Sequence, residues 1–357
     1  MVQRGEQLGV RQESALACER RRCPVFVMGC HRSGTNLLYD TLLSAGGFAV
    51  YRGYLPVYGM LIPRFGGFDK SDNRRRMLSS WLRSKGFRRS GIDAAQHTAK
   101  VLSECSTGGD FIRIVMEEIA LKQNAARWAV YDADNVLHVP SIKQDIPEAL
   151  FIHIIRDGRD IALSLRKMGG FRPFPWHSAS KSLLATALYW EWMVRKGQRY
   201  GRGIPGDYIE IRYEELVSRP RRTLETLGQF LAQDLDYDRI QSASLGRLRE
   251  SNSSFRDQGN QQNPVNRWRE RLSPEEIASL EALIGTYLED LGYPLITPEK
   301  DRKPGLREKW MLALYHSFFD TKLWLKPNTP LGKLTSLSPL ELTDPSVRPH
   351  PTRKLRG

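Results

Sequence analysis

Residues 24–36 read Pro-Val-Phe-Val-Met-Gly-Cys-His-Arg-Ser-Gly-Thr-Asn, a short apolar run followed by a loop with an arginine between two glycines. Gly29 and Gly34 are spaced as at the start of a Walker A loop. Thr35, however, stands where a nucleotide triphosphatase needs its lysine, and Asn36 where the magnesium-holding hydroxyl belongs. Backbone N–H groups of such a loop, backed by a helix N-terminus, hold a phosphate whatever is attached to it. Without the lysine and the hydroxyl, phosphoryl transfer loses its electrostatic apparatus. The pattern therefore suits an anion with a 5′-phosphate that needs no metal, with Arg32 as the charge inside the loop.

A second segment carries related chemistry. Residues 150–155 form an apolar run, Leu-Phe-Ile-His-Ile-Ile, that leads directly into Arg156-Asp-Gly-Arg-Asp-Ile-Ala-Leu-Ser164. An arginine at the end of a strand and a serine eight residues on, in the following helix, can meet on one phosphate. In open parallel sheets ligands lie at the carboxyl ends of the strands, where both segments put their polar residues.

Together these segments resemble the two phosphosulfate-binding elements of sulfotransferases that use 3′-phosphoadenosine 5′-phosphosulfate, closest to the bacterial and tyrosyl-protein branch. The family's Lys/Arg-Ser-Gly-Thr core is matched by Arg32, Ser33, Gly34 and Thr35, and its Arg-x-x-Arg-Asp…Ser pattern by Arg156, Arg159, Asp160 and Ser164. Two later segments extend the likeness: Asp207-Tyr-Ile-Glu-Ile-Arg-Tyr-Glu-Glu-Leu-Val217, and Asn266-Arg-Trp-Arg-Glu-Arg-Leu272. The resemblance implies that residues 32–36 bind the 5′-phosphosulfate end, that Arg156 and Ser164 hold the 3′-phosphate, that Tyr213 lies near the adenosine, and that Arg267 approaches the phosphates. A ring packed in the core suits Tyr213 equally well, and Trp190, Trp192 and Trp268 read first as packing residues. The alternatives are a non-catalytic phosphoadenosine-binding protein of the same fold, or a P-loop kinase.

The catalytic base is where the chain departs from the family. Relatives carry a Gly-Glu pair after the first helix, and the corresponding stretch here is Gly53-Tyr54; a tyrosine with an ordinary pKa of about 10 is a poor base at neutral pH. The relatives' lysine segment after the second strand becomes Asp132-Ala133-Asp134-Asn135. Asp134 and His138 are the substitute candidates beside Arg32, which would stabilise charge, with Asp132 and His31 also in range. A plainer role for Asp134 is to cap a helix beginning near Asn135.

Composition agrees with this without deciding it. The 357 residues are 40% hydrophobic and 26% charged, enough for a sizeable core. A net charge of +14 and pI near 9.7 would steer an anionic co-substrate or acceptor, but suit nucleic acid or a membrane surface as well. No nucleic-acid recognition motif is present, so no nucleic-acid partner is expected and the acceptor's class stays open. Cys18, Cys23, Cys30 and Cys105 form no CxxC pair or zinc spacing, which reads as free thiols and no metal. With no apolar stretch near the ~20 residues of a span, a cytoplasmic location is expected.

Positioning these residues requires strands at 25–28, 128–131, 150–155 and 208–211, alternating with helices at 35–44, 109–124, 180–200, 220–231 and 274–291. Short buried strands alternating with helices imply a three-layer α/β domain of P-loop type, its central parallel sheet flanked by helices. It should span 24–296 after a polar lead-in over 1–23, with a helical insertion at about 51–106. A basic C-terminal extension, 297–357, would hold an aromatic-rich helix over 310–325, able to touch a membrane surface or a partner, and then a disordered tail from Pro327.

Overall fold

The computed structural model describes residues 19–168, 182–243, 265–302 and 305–341, apart from the side chains of 301, 307, 308 and 341. Its centre is a five-stranded sheet of β1 (Val25–Met28), β2 (Phe48–Ala49), β3 (Arg127–Tyr131), β4 (Leu150–Ile155) and β5 (Tyr208–Arg212). Their order is β2-β3-β1-β4-β5 with every pairing parallel. Every residue of β1 and β4 is buried, the continuous pattern of strands covered on both faces.

One face packs Phe26, Trp128 and Phe151, with Phe26 and Phe151 stacked at 5.6 Å between centroids. The other packs Val25, Val27, Ile152 and Ile154 against Leu38 and Leu42 of α1 (Thr35–Ala45). β1 lies between β3 and β4, and Met28 is in register with His153, so the loops leaving β1 and β4 emerge side by side. That is the switch point where open parallel sheets hold ligands.

Helices α2 (Ser71–Leu82), α3 (Lys85–Ser90) and α4 (Ala94–Glu104) occupy the stretch between β2 and α5 (Gly108–Lys122). They are followed by α6 (Gly158–Lys167), α7 (Leu183–Gly201), α8 (Tyr213–Ser218), α9 (Pro220–Leu231), α10 (Pro274–Asp290) and α11 (Leu306–Asn328). Capping boxes at Thr107/Asp110 and Ser273/Glu276 start α5 and α10, and Asp157 caps α6.

Two departures from the sequence pattern have clear causes. β2 is only two residues long and follows Gly46 and Gly47, both at positive φ, too short to leave a signal. β3 begins at Arg127, a charged residue that strand patterns exclude. Its guanidinium is buried because it donates to the carbonyls of Cys23 (2.6 Å) and Leu231 (3.1 Å). The aromatic helix is longer than expected and packs on the domain through Phe319, which lies 5.0 Å from the Trp192 ring. Pro327 falls inside its last turn rather than beginning the tail, and a 3-10 turn, Pro330–Leu334, follows. The lead-in up to residue 18 and the end of the chain from 342 lie outside the described residues.

Candidate functional site

The loop between β1 and α1 is shaped by its glycines. A Cβ on Gly29 would overlap the Ile154 carbonyl, so β4 passes too close for any side chain. Gly34 has φ 102°, and a Cβ there would lie 2.5 Å from Cδ2 of Tyr213. Arg32 itself sits at φ 73°, an unusual conformation for a residue other than glycine and one that concentrates at functional sites. Gly34 is the N-cap of α1 and supplies no side-chain cap, so the first-turn N–H groups of Thr35 and Asn36 add to the positive end of an 11-residue helix. The Ser33 hydroxyl is buried with no hydrogen-bond partner among the described residues.

Beside this loop lies a cleft of about 390 Å³, lined by Arg32, Arg156, Ser164, Lys167, Arg267 and Arg271 together with Asp160, Leu163 and Met168. Arg32 Nε donates to Ser164 Oγ at 3.1 Å, and Arg156 Nη1 donates to the Arg32 carbonyl at 3.3 Å. Among the described residues, five cations thus line the cleft with one carboxylate, and that carboxylate is engaged. Asp160 accepts from the backbone N–H of Asn266 (3.1 Å) and Trp268 (3.0 Å) and from Arg156 (3.3 Å), which ties the segment bearing Arg267 and Arg271 to α6. Burial, then the Arg156 and Arg267 charges, push Arg32 below its ordinary pKa, a crowding of like charge that a bound anion would relieve.

Tyr213 does not line the cleft. It is buried beneath it, against Gly34, with the Arg156 guanidinium 4.3 Å from its ring centroid, so it supports the arginine. Arg159 is fully buried and pairs with Asp157 (2.7 Å) and Glu281 (2.5 Å), with its guanidinium 3.8 Å from the Trp268 ring. Its work is to fasten α6 to α10. Trp190, Trp192 and Trp268 are buried, as packing residues should be. Lys167 and Arg271 carried no signal as single residues; the Arg267-x-x-x-Arg271 spacing was the available clue.

A second group lies at the ends of β1 and β3. Asp132, not Asp134, is the cap: its carboxylate accepts from Asp134 N–H (3.1 Å) at the start of the 3-10 turn Ala133–Leu137. Asp134 is thereby left to meet His31 Nε2 at 3.1 Å, joining the first loop to β3. Burial opposes charge on both, but their attraction outweighs it: Asp134 is held down at about 2 and His31 is raised. Burial and the Asp134 charge push Asp132 up to about 7. His138 has its ring centroid 6.1 Å from that of Tyr58, and burial, only partly offset by the Asp134 charge, draws its pKa down to about 4. Burial also drives Tyr54 well above its ordinary value, further from use as a base. No group of three or more His, Cys, Asp or Glu able to hold a metal occurs among the described residues.

The fold and this cleft define a parallel α/β protein with a cationic site at the carboxyl edge of its sheet. The chain belongs to the Sulfotransferase family, whose sequence profile matches residues 24–238. It is 32% identical over 115 residues to mouse (Mus musculus) carbohydrate sulfotransferase 7, a match that covers 29% of this chain and 23% of that protein. It is 25% identical over 222 residues to a Caenorhabditis briggsae protein provisionally named protein-tyrosine sulfotransferase, covering 60% and 66% of the two chains. The chain thus spans less than two thirds of the length of these curated relatives. Among solved structures, the sulfotransferase domain of the Synechococcus PCC 7002 olefin synthase aligns with 77% of this chain and 96% of its own, at 16% identity and a TM-score of 0.49.

Proposed function

We propose that the chain binds 3′-phosphoadenosine 5′-phosphosulfate in the cationic cleft and directs its sulfuryl group, without a metal, to an acceptor hydroxyl or amine. The observation that carries this is the meeting of Arg32, Ser164, Arg156 and Arg267 around one cleft beside an uncapped helix N-terminus. The orphaned Ser33 hydroxyl and the crowded guanidiniums fit a group with several phosphate oxygens. When bound, that group supplies an activated sulfuryl and a phosphate leaving group.

In this assignment residues 29–36 act as a P-loop-type cradle that uses Arg32 in place of a lysine. Arg32 and the N–H groups of Thr35 and Asn36 stabilise charge at the 5′ end. An arginine stays protonated at neutral pH, so its contribution is electrostatic. Arg156 and Ser164 hold the 3′-phosphate, with Tyr213 fixing Arg156 from below and Arg267 beside them. His31, held through Nε2 by Asp134, takes the acceptor's proton, so base and charge stabiliser come from adjacent residues of one loop. The buried, low-pKa His138 is the weaker candidate. The free Cys23, Cys30 and Cys105 thiols suit a reducing, cytoplasmic setting.

Removing one charge-assisted contact costs about 1.5–3 kcal/mol. Arg156→Ala should therefore weaken adenosine 3′,5′-bisphosphate by about 10- to 150-fold and leave adenosine 5′-phosphate nearly unchanged. Equal losses for both ligands would defeat the assignment of the 3′-phosphate to Arg156.

A further inference from the structure

Helix α11 has apolar residues on opposite sides. Phe319 is buried against Trp192 and Tyr189. At 100° per residue, Leu306, Trp310, Leu314 and Trp324 fall within an arc of about 80° on the other side. All four are exposed, Trp310 at 65% and Trp324 at 61%. The turn after the helix adds exposed Leu331 and Leu334. Six of the nine large exposed hydrophobic residues among those described therefore lie within 306–334, which is a patch rather than the usual scatter.

Beyond the C-terminal end of this helix lies a basic cleft. Gly332 is buried, and a Cβ there would lie 2.5 Å from the Pro63 carbonyl and would overlap that of Lys326, so the turn is pressed onto residues 62–65. This brings Lys333 to a cleft of about 390 Å³ shared with Arg64, Lys70 and Arg76, Phe65 and Asn73. No acidic residue among those described lines it. Lys333 lies between the two exposed leucines of the turn in sequence, and Arg64, Lys70 and Arg76 come from the 51–106 stretch.

We propose that this face docks on an anionic bilayer surface, with the outer stripe of α11 in the interface and the Arg64, Lys70, Arg76 and Lys333 cleft receiving lipid phosphate. Charge complementarity selects this occupant: a cleft of four cations, one of them on the turn that carries exposed Leu331 and Leu334 and follows the tryptophan-bearing helix, matches anionic headgroups over an apolar layer. No helix among the described residues is long and apolar enough to cross a membrane, so the contact is one that lies along the surface.

The test is co-flotation of the full chain with vesicles of phosphatidylcholine alone and of phosphatidylcholine with phosphatidylglycerol, at low and high NaCl. Binding should require phosphatidylglycerol and weaken with salt. Each cation removed near the surface should lower partitioning about fivefold, so Lys70→Ser with Lys333→Ser should lower it about 25-fold. Trp310→Ser with Trp324→Ser should lower it roughly tenfold or more. All variants should retain parental affinity for adenosine 3′,5′-bisphosphate, which separates surface loss from misfolding. Absence of flotation, equal binding to neutral vesicles, or variants that float like the parent would overturn the proposal. So would a dimer in light scattering that the tryptophan variants dissociate, since a second copy would then cover the stripe.

Discussion

Gly34→Ala tests whether the loop and Tyr213 are packed as described. The new methyl carbon would lie 2.5 Å from Cδ2 and 2.9 Å from Cε2 of the buried tyrosine ring, and the residue would have to hold φ 102°. A left-handed conformation costs a non-glycine residue about 1–2 kcal/mol. Overpacking against a fixed ring adds about 1–3 kcal/mol, so the single variant should lose about 2–5 kcal/mol of stability. Tyr213→Ala alone should cost about 3–5 kcal/mol as a large buried side chain is removed. In the double variant the clash has no partner. The two losses should then fall short of additivity by about 1–3 kcal/mol, leaving the first substitution to contribute only its backbone strain. Equilibrium urea unfolding of the four proteins, followed by circular dichroism, measures this coupling. Additivity within about 0.5 kcal/mol would refute the contact and, with it, the role given to Tyr213 beneath Arg156.

The His31–Asp134 pair should mark the pH dependence. Because the folded-state pKa of His31 is raised, the stability it contributes is full below its unfolded value of about 6.5 and fades as pH rises through the raised value; unfolding of His31→Asn against the parent across pH checks this. If His31 is the base, transfer should rise with pH through that same raised value, and Asp134→Asn should move the limb to lower pH, read from pH–rate profiles. Arg159→Met should cost about 3–5 kcal/mol in urea unfolding, because it leaves the Asp157 and Glu281 carboxylates buried without their partner.

Much of the architecture is legible before any coordinates. The runs at β1 and β4 are wholly apolar because helices cover both faces, and such runs announce buried parallel strands directly. Arg127 is illegible for the opposite reason: the carbonyls that justify burying it belong to Cys23 and Leu231, a contact across 104 residues that no local pattern records. The cleft follows the same division. Arg32, Arg156, Ser164 and Arg267 stand out by type and spacing, whereas Lys167 and Arg271 matter only once α6 and the 266–271 segment are joined through Asp160. Asp134 looks like a helix cap in one dimension. It is released from that role because Asp132, two residues earlier, already caps the turn.

The most direct measurement is a calorimetric titration of the full chain with adenosine 3′,5′-bisphosphate, and with ATP in the presence and absence of magnesium. A cleft that sets Arg32 on the 5′ end and Arg156 and Ser164 on the 3′-phosphate predicts tight binding of the bisphosphate that magnesium does not alter, and weaker binding of ATP. Preference for magnesium-ATP would contradict the co-substrate assignment and favour a phosphoryl-transfer enzyme on the same fold.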